Sequence, residues 1–145
     1  MKPRVLLLLV AGLLLSRSSH ARAQSLPNVG PMTVNSATAG SQPNQVTATS
    51  FYSSNLILFG QQRVVAYLNA NVPANTTLSV KLTAPSGGTS LGNVNLDTTP
   101  RDLVIAATAP FFTNVTILYT FKATVLAGVV PSTSRTVTYT LATYP

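Results

Sequence analysis

The chain has 145 residues, 46% of them hydrophobic, and nine Lys and Arg against two acids give a net charge of +7. Cysteine, tryptophan and glutamate are absent, the two acids are Asp97 and Asp102, and the one histidine is His20. This composition excludes a disulfide scaffold and leaves little for acid–base or nucleophilic catalysis, which draws on His, Cys or tuned carboxylates.

Lys2 and Arg4 precede an apolar or Gly run of 11 residues, 5–15, that the polar segment Ser16-Arg17-Ser18-Ser19-His20 closes. A basic start, a short apolar segment and small residues at Ala21 and Ala23 are the parts of a secretory signal peptide. The run falls short of the ~20 apolar residues that span a bilayer. Residues 1–23 are therefore expected to be cleaved, leaving no stable membrane anchor and an exported product: secreted, periplasmic or at the cell surface. Cleavage removes His20 and four cations, so that Arg63, Lys81, Arg101, Lys122 and Arg135 face two aspartates, a net of +3. Scattered cations build no basic stripe, which excludes nucleic acid as an expected partner. An exported domain without cysteines points to a bacterial source.

Residues 24–45 carry Pro27, Gly30, Pro31, Gly40 and Pro43 among Ser, Asn, Thr and Gln and read as a flexible N-terminal arm. Within it only Met32-Thr33-Val34 is suited to brief pairing with a sheet edge. From residue 46 onward apolar residues alternate with period two, the pattern of strands with one face in a core. Val46 to Tyr52 and Leu56 to Phe59 supply the first one or two strands. Arg63 to Val72 places Val64, Ala66, Leu68, Ala70 and Val72 on one face, and Leu78, Val80 and Leu82 repeat the pattern after the turn Pro73-Ala74-Asn75. These two runs are expected to form a hairpin.

Further strands are expected at Val94 and Leu96, at an inward Leu103, Ile105 and Ala107, at Val115 to Val125, and at Val137, Tyr139 and Leu141. Turn residues separate them at Pro85-Ser86-Gly87-Gly88, Thr99-Pro100, Pro110, Gly128 and Pro131-Ser132. Seven to eight short strands in residues 46–145 predict an all-β, antiparallel β-sandwich domain. Val-Pro-Ala-Asn-Thr-Thr-Leu-Ser-Val-Lys-Leu at 72–82 and Thr-Val-Thr-Tyr-Thr-Leu at 136–141 resemble exported bacterial immunoglobulin-like and pilus-type sandwiches, and the likeness implies an immunoglobulin-like arrangement. It is a likeness of cadence, and no functional residue is carried across.

Candidate chemistry is sparse. Asn93, Asn95 and Asp97 share a strand face ahead of Asp102, an oxygen-rich set of the kind calcium uses. A strand spaces such residues about 6–7 Å apart, however, and calcium sites usually gather more carboxylates, so the set reads as a polar face with Asp97 or Asp102 near Arg101. The same two aspartates flank a turn and make a poor acid–base pair. No catalytic residue, metal or cofactor is therefore expected. Partner contact is assigned instead to Phe111 and Phe112 at a loop, where one ring could remain exposed while the other plugs the core. It is also assigned to Leu56 and Phe59 in a run apolar on both faces, which suits a covered strand or a receptive edge.

Three functions fit these features. The first is a non-catalytic structural or adhesive sandwich at the cell surface or in extracellular material. The second is a self-assembling, pilus-like subunit whose arm pairs with a neighbour's edge. The third is a carbohydrate-binding module using exposed aromatics. The expected partner is accordingly another protein, including a second copy, or a glycan.

Overall fold

A computed structural model describes residues 29–38, 40–54, 60–109 and 112–145. The expected signal peptide and its cleavage site, together with Leu56, Phe59 and Phe111, lie outside the described residues. Eight strands follow in order: β1 (Val46–Ser54), β2 (Gln62–Leu68), β3 (Thr76–Leu82), β4 (Thr89–Ser90), β5 (Val94–Asn95), β6 (Arg101–Ala107), β7 (Phe112–Ala123) and β8 (Val137–Thr143). One 3-10 turn, Val125–Ala127, is the sole helical element among the described residues.

The strands form two four-stranded antiparallel sheets, β1-β7-β3-β5 and β4-β6-β2-β8. Among the described residues no two consecutive strands share a sheet, so each connection passes from one layer to the other. This corrects the expected hairpin: β2 pairs with β6 and β8, and β3 pairs with β5 and β7. Alternation fixes which face of a strand is apolar, but two runs with matching patterns fit equally well side by side or face to face. The Pro73–Asn75 turn forms, with the Thr76 N–H donating to the Pro73 carbonyl at 3.1 Å and Asn75 at φ 59°. It lies in a connection that carries the chain across the sandwich, and β2 ends at Leu68 rather than at Val72.

The core lies where the inner faces meet. Val64, Ala66, Leu68, Val80, Leu82 and Ile117 are at most 1% exposed, and burying each aliphatic contributes about 1.5–3 kcal/mol before chain entropy is charged. Tyr52, Tyr119, Tyr139 and Leu141 join them in the interior.

Strand β6 departs from simple alternation. Its register against β2 shifts twice, between Gln62 and Val64 and again between Val64 and Val65. Two such bulges put Leu103 and Val104 both in the core and leave Ile105 half-buried. The expected inward set of Leu103, Ile105 and Ala107 is thus corrected to Leu103, Val104 and Ala107, because an extra residue in a bulged strand inverts the parity beyond it. Ala106 takes up the distortion at φ 56°, in the left-handed region.

The Gly87-Gly88 turn fits closely against the end of this strand. Gly87 sits at φ +75°, and a Cβ there would stand 2.1 Å from Thr108 Oγ1. Glycine is therefore required at this position by both backbone conformation and space.

The described part of the arm contains no strand, and Met32–Val34 is irregular rather than edge-paired. A wide loop holds it, in which the Asn44 N–H donates to the Ser36 carbonyl at 3.1 Å and the Asn44 amide donates to Ser36 Oγ at 2.6 Å. Val29 and Met32 pack against the core from outside the strands.

Candidate functional site

Both aspartates are engaged by arginines at the surface. Asp97 accepts the Thr99 N–H at 2.7 Å through Oδ1 and the Arg101 guanidinium at 2.5 Å through Oδ2. The Arg101 hydrogen bond, then the Thr99 N–H, holds the Asp97 carboxyl below the usual carboxylate range. Asp102 lies 3.5 Å from Arg63, on the neighbouring strand of the same sheet. The structure thus separates the two acids onto different partners. Among the described residues no group of three or more His, Cys, Asp or Glu is placed to hold a metal ion.

Phe112 is 9% exposed and stacks at a tilt on Tyr52, with ring centroids 5.2 Å apart. Tyr52 in turn lies 6.3 Å from Tyr139 across the sandwich, so Phe112 belongs to an aromatic cluster bridging the layers. Between the two sheets, the Tyr139 hydroxyl donates to the Tyr119 hydroxyl at 2.8 Å. β7 and β8 lie in different sheets, and this hydrogen bond joins them. Burial pushes the Tyr52 phenol up to about 12 and raises Tyr119 and Tyr139 as well, because a phenolate here would lose its hydration.

A wide concavity lies at the end of the sandwich where β1 and β8 begin and β7 ends. It is a partly open cleft of about 1470 Å³. Leu78, Tyr119 and Phe121 line it from one sheet and Val137 and Tyr139 from the other. The arm from Val29 to Ala37 and the β7–β8 connection from Thr124 to Thr136 form its covers. The cleft exists because the inner faces run on past the paired core and meet irregular chain instead of a further strand.

Asparagine side chains tie that connection down near its ends. The Asn75 amide donates to the Leu126 carbonyl at 3.2 Å, Asn69 accepts the Thr136 N–H at 3.0 Å, and the Val125 N–H donates to Gln42 in the arm at 3.2 Å. Between these ties the sequence Val125-Leu126-Ala127-Gly128-Val129-Val130-Pro131 carries apolar residues into solvent. Leu126 is 77% exposed and Val129 98%.

Sequence reasoning treated this stretch as the end of a strand followed by turns, and so missed it as a surface. The available signal was an apolar run broken by Gly128 and Pro131, too short and too irregular to pair. Among the described residues no helix is long and apolar enough to cross a membrane. Comparison with known proteins finds no matching family model and no significantly similar curated protein or solved structure.

Proposed function

We propose that this chain is an exported, non-catalytic β-sandwich protein that acts by surface contact, in a structural or adhesive role at the cell surface or in extracellular material. The observation that carries the reading is the apolar tip of the β7–β8 connection, with Val125, Leu126 and Val129 held out from the sandwich end. Soluble domains rarely display such residues together unless they meet a partner. Support also comes from the leader-like residues 1–23 and from Asp97, whose carboxyl Arg101 holds below the usual carboxylate range, away from proton transfer near neutral pH.

The test is fractionation of the producing cell, with mass spectrometry of the recovered N-terminus, followed by a retention assay on the cell envelope. Leu126→Ser together with Val129→Ser is expected to release the protein from the envelope without changing its melting temperature. A specific hydrolytic activity abolished by Asp97→Asn or Asp102→Asn overturns the proposal.

The immunoglobulin-like likeness is best read as one of layers. In immunoglobulin domains strands A and B are sheet neighbours, whereas here β1 pairs with β7 and β2 lies in the opposite sheet. We infer a nested Greek-key arrangement closer to a jelly roll, in which the chain also passes repeatedly between layers.

Self-assembly is a second reading, favoured by the sheet order, since β1 and β8 are both edge strands and edges accept strands from other chains. Light scattering and negative-stain microscopy with and without residues 24–45 test it. A monomer at high concentration in both cases refutes it.

A further inference from the structure

We propose that the cleft at the sandwich end binds a free long-chain carboxylate, with the apolar chain inside and the head group at Arg135. The cavity, at about 1470 Å³, exceeds the 300–1,000 Å³ typical of small-molecule pockets. Its walls include Met32 of the arm, Val72, Leu78 and Val137, all half-buried against the core. The hydrogen-bonded pair Tyr119 and Tyr139 also lines it, where the two sheets are tied together.

Among the described residues Arg135 is the one charged residue lining the cleft. Its Nε donates to the Asn71 carbonyl at 2.8 Å and its Nη1 to the Ser134 carbonyl at 2.8 Å. A guanidinium carries five N–H donors, so this fixed group keeps three for a carboxylate. Arg135 is only half-buried, which keeps the ligand's charge near water and avoids the cost of burying it. The aspartates are already held elsewhere by Arg101 and Arg63 and do not line the cleft. A partly open cleft that sets apolar walls beside polar ones, with a single cation at its rim, favours an amphiphile with an anionic head over a neutral or cationic one. The site borders the adhesive tip, since Val125 and Val129 line the cleft, but Leu126 does not, so a substitution at Leu126 separates the two readings.

The test is calorimetric titration of the purified protein, its N-terminus fixed by mass spectrometry, with sodium palmitate below its aggregation concentration and with hexadecanol. Palmitate is expected to bind the more tightly, and Arg135→Gln to weaken it roughly three- to tenfold while leaving hexadecanol unchanged. Met32→Asp, on the arm and away from the strands, is expected to abolish binding of both. Leu126→Ser is expected to change neither. The absence of palmitate binding overturns the proposal, as does an Arg135→Gln affinity equal to that of the parent. Loss of binding in Leu126→Ser also overturns it by assigning uptake to the exposed tip, and so does uptake seen only with phosphatidylglycerol vesicles.

Discussion

The tyrosine pair between the sheets gives a quantitative test of how the sandwich's layers are joined. Tyr139 donates to Tyr119 at 2.8 Å, the usual O–H···O separation, and the two residues are 4% and 6% exposed. Replacing either with Phe keeps the ring and removes one hydroxyl, leaving its partner buried without the hydrogen bond. Such an orphan costs about 1–3 kcal/mol. Because both residues line the cleft, a surviving hydroxyl has access to water, which places each single substitution near the lower end, about 1–1.5 kcal/mol. Removing both hydroxyls leaves two apolar rings in an apolar setting, and the double variant is expected to lose less than about 1 kcal/mol. The cycle should therefore show about 1–3 kcal/mol of coupling. Urea unfolding followed by circular dichroism measures it, provided the denaturant slope is constant across the four proteins. Single effects that add in the double variant to within about 0.3 kcal/mol would refute the bridge.

The bulges in β6 predict an inequality between neighbours: Val104→Ala should cost about 2 kcal/mol and Ile105→Ala about 1 kcal/mol or less, in the same urea assay. Equal losses, or a reversed order, would restore simple alternation. Ala106→Gly should raise stability by up to about 1 kcal/mol, since relief of a left-handed alanine outweighs the extra freedom glycine gives the unfolded chain; a lower urea midpoint would show that the methyl group's packing matters more. Raised phenol pKa values mean that the fold favours neutral tyrosine. Their stabilisation is complete below pH 10, where unfolded tyrosine titrates, and declines as pH rises from 10 towards the value of about 12 for Tyr52. Unfolding free energies at pH 8 and pH 11, read alongside phenolate absorbance, check this. Full ionisation of all five tyrosines with the circular dichroism spectrum unchanged would contradict it.

What the sequence reveals about this fold follows from the range of each interaction. Period-two runs such as Val64-Ala66-Leu68 and Leu78-Val80-Leu82 identify inner faces because facing inward is a property of one strand alone. Pairing is a property of two strands, and nothing local in 63–82 distinguishes neighbours in a sheet from opposed layers. The β6 bulges were equally illegible, since Leu103-Val104-Ile105 is apolar throughout and fits either parity. Only the backbone path chosen by Ala106 decides between them.

The candidate site has a different history. The pairing of an aspartate with Arg101 is a contact between residues four apart and could be read from spacing, whereas Asp102 reaches Arg63 only through the β2–β6 pairing. The cleft depends on still longer connections: residues 29–37, 72–78, 119–123 and 124–139 meet because β1 and β8 begin, and β7 ends, at one end of the sandwich. That convergence has a physical consequence for what the site can be. Its floor is anchored in the rigid core by the tyrosine bridge, while its covers are irregular chain held by a few amide contacts from Asn69, Asn75 and Gln42. Opening the covers costs these hydrogen bonds, each of about 1 kcal/mol, together with the packing of Val29 and Met32 against the core, and leaves the strand pairing of both sheets in place. A cavity with a fixed floor and a loosely tied roof can admit a long apolar chain that a fully packed sandwich end would exclude.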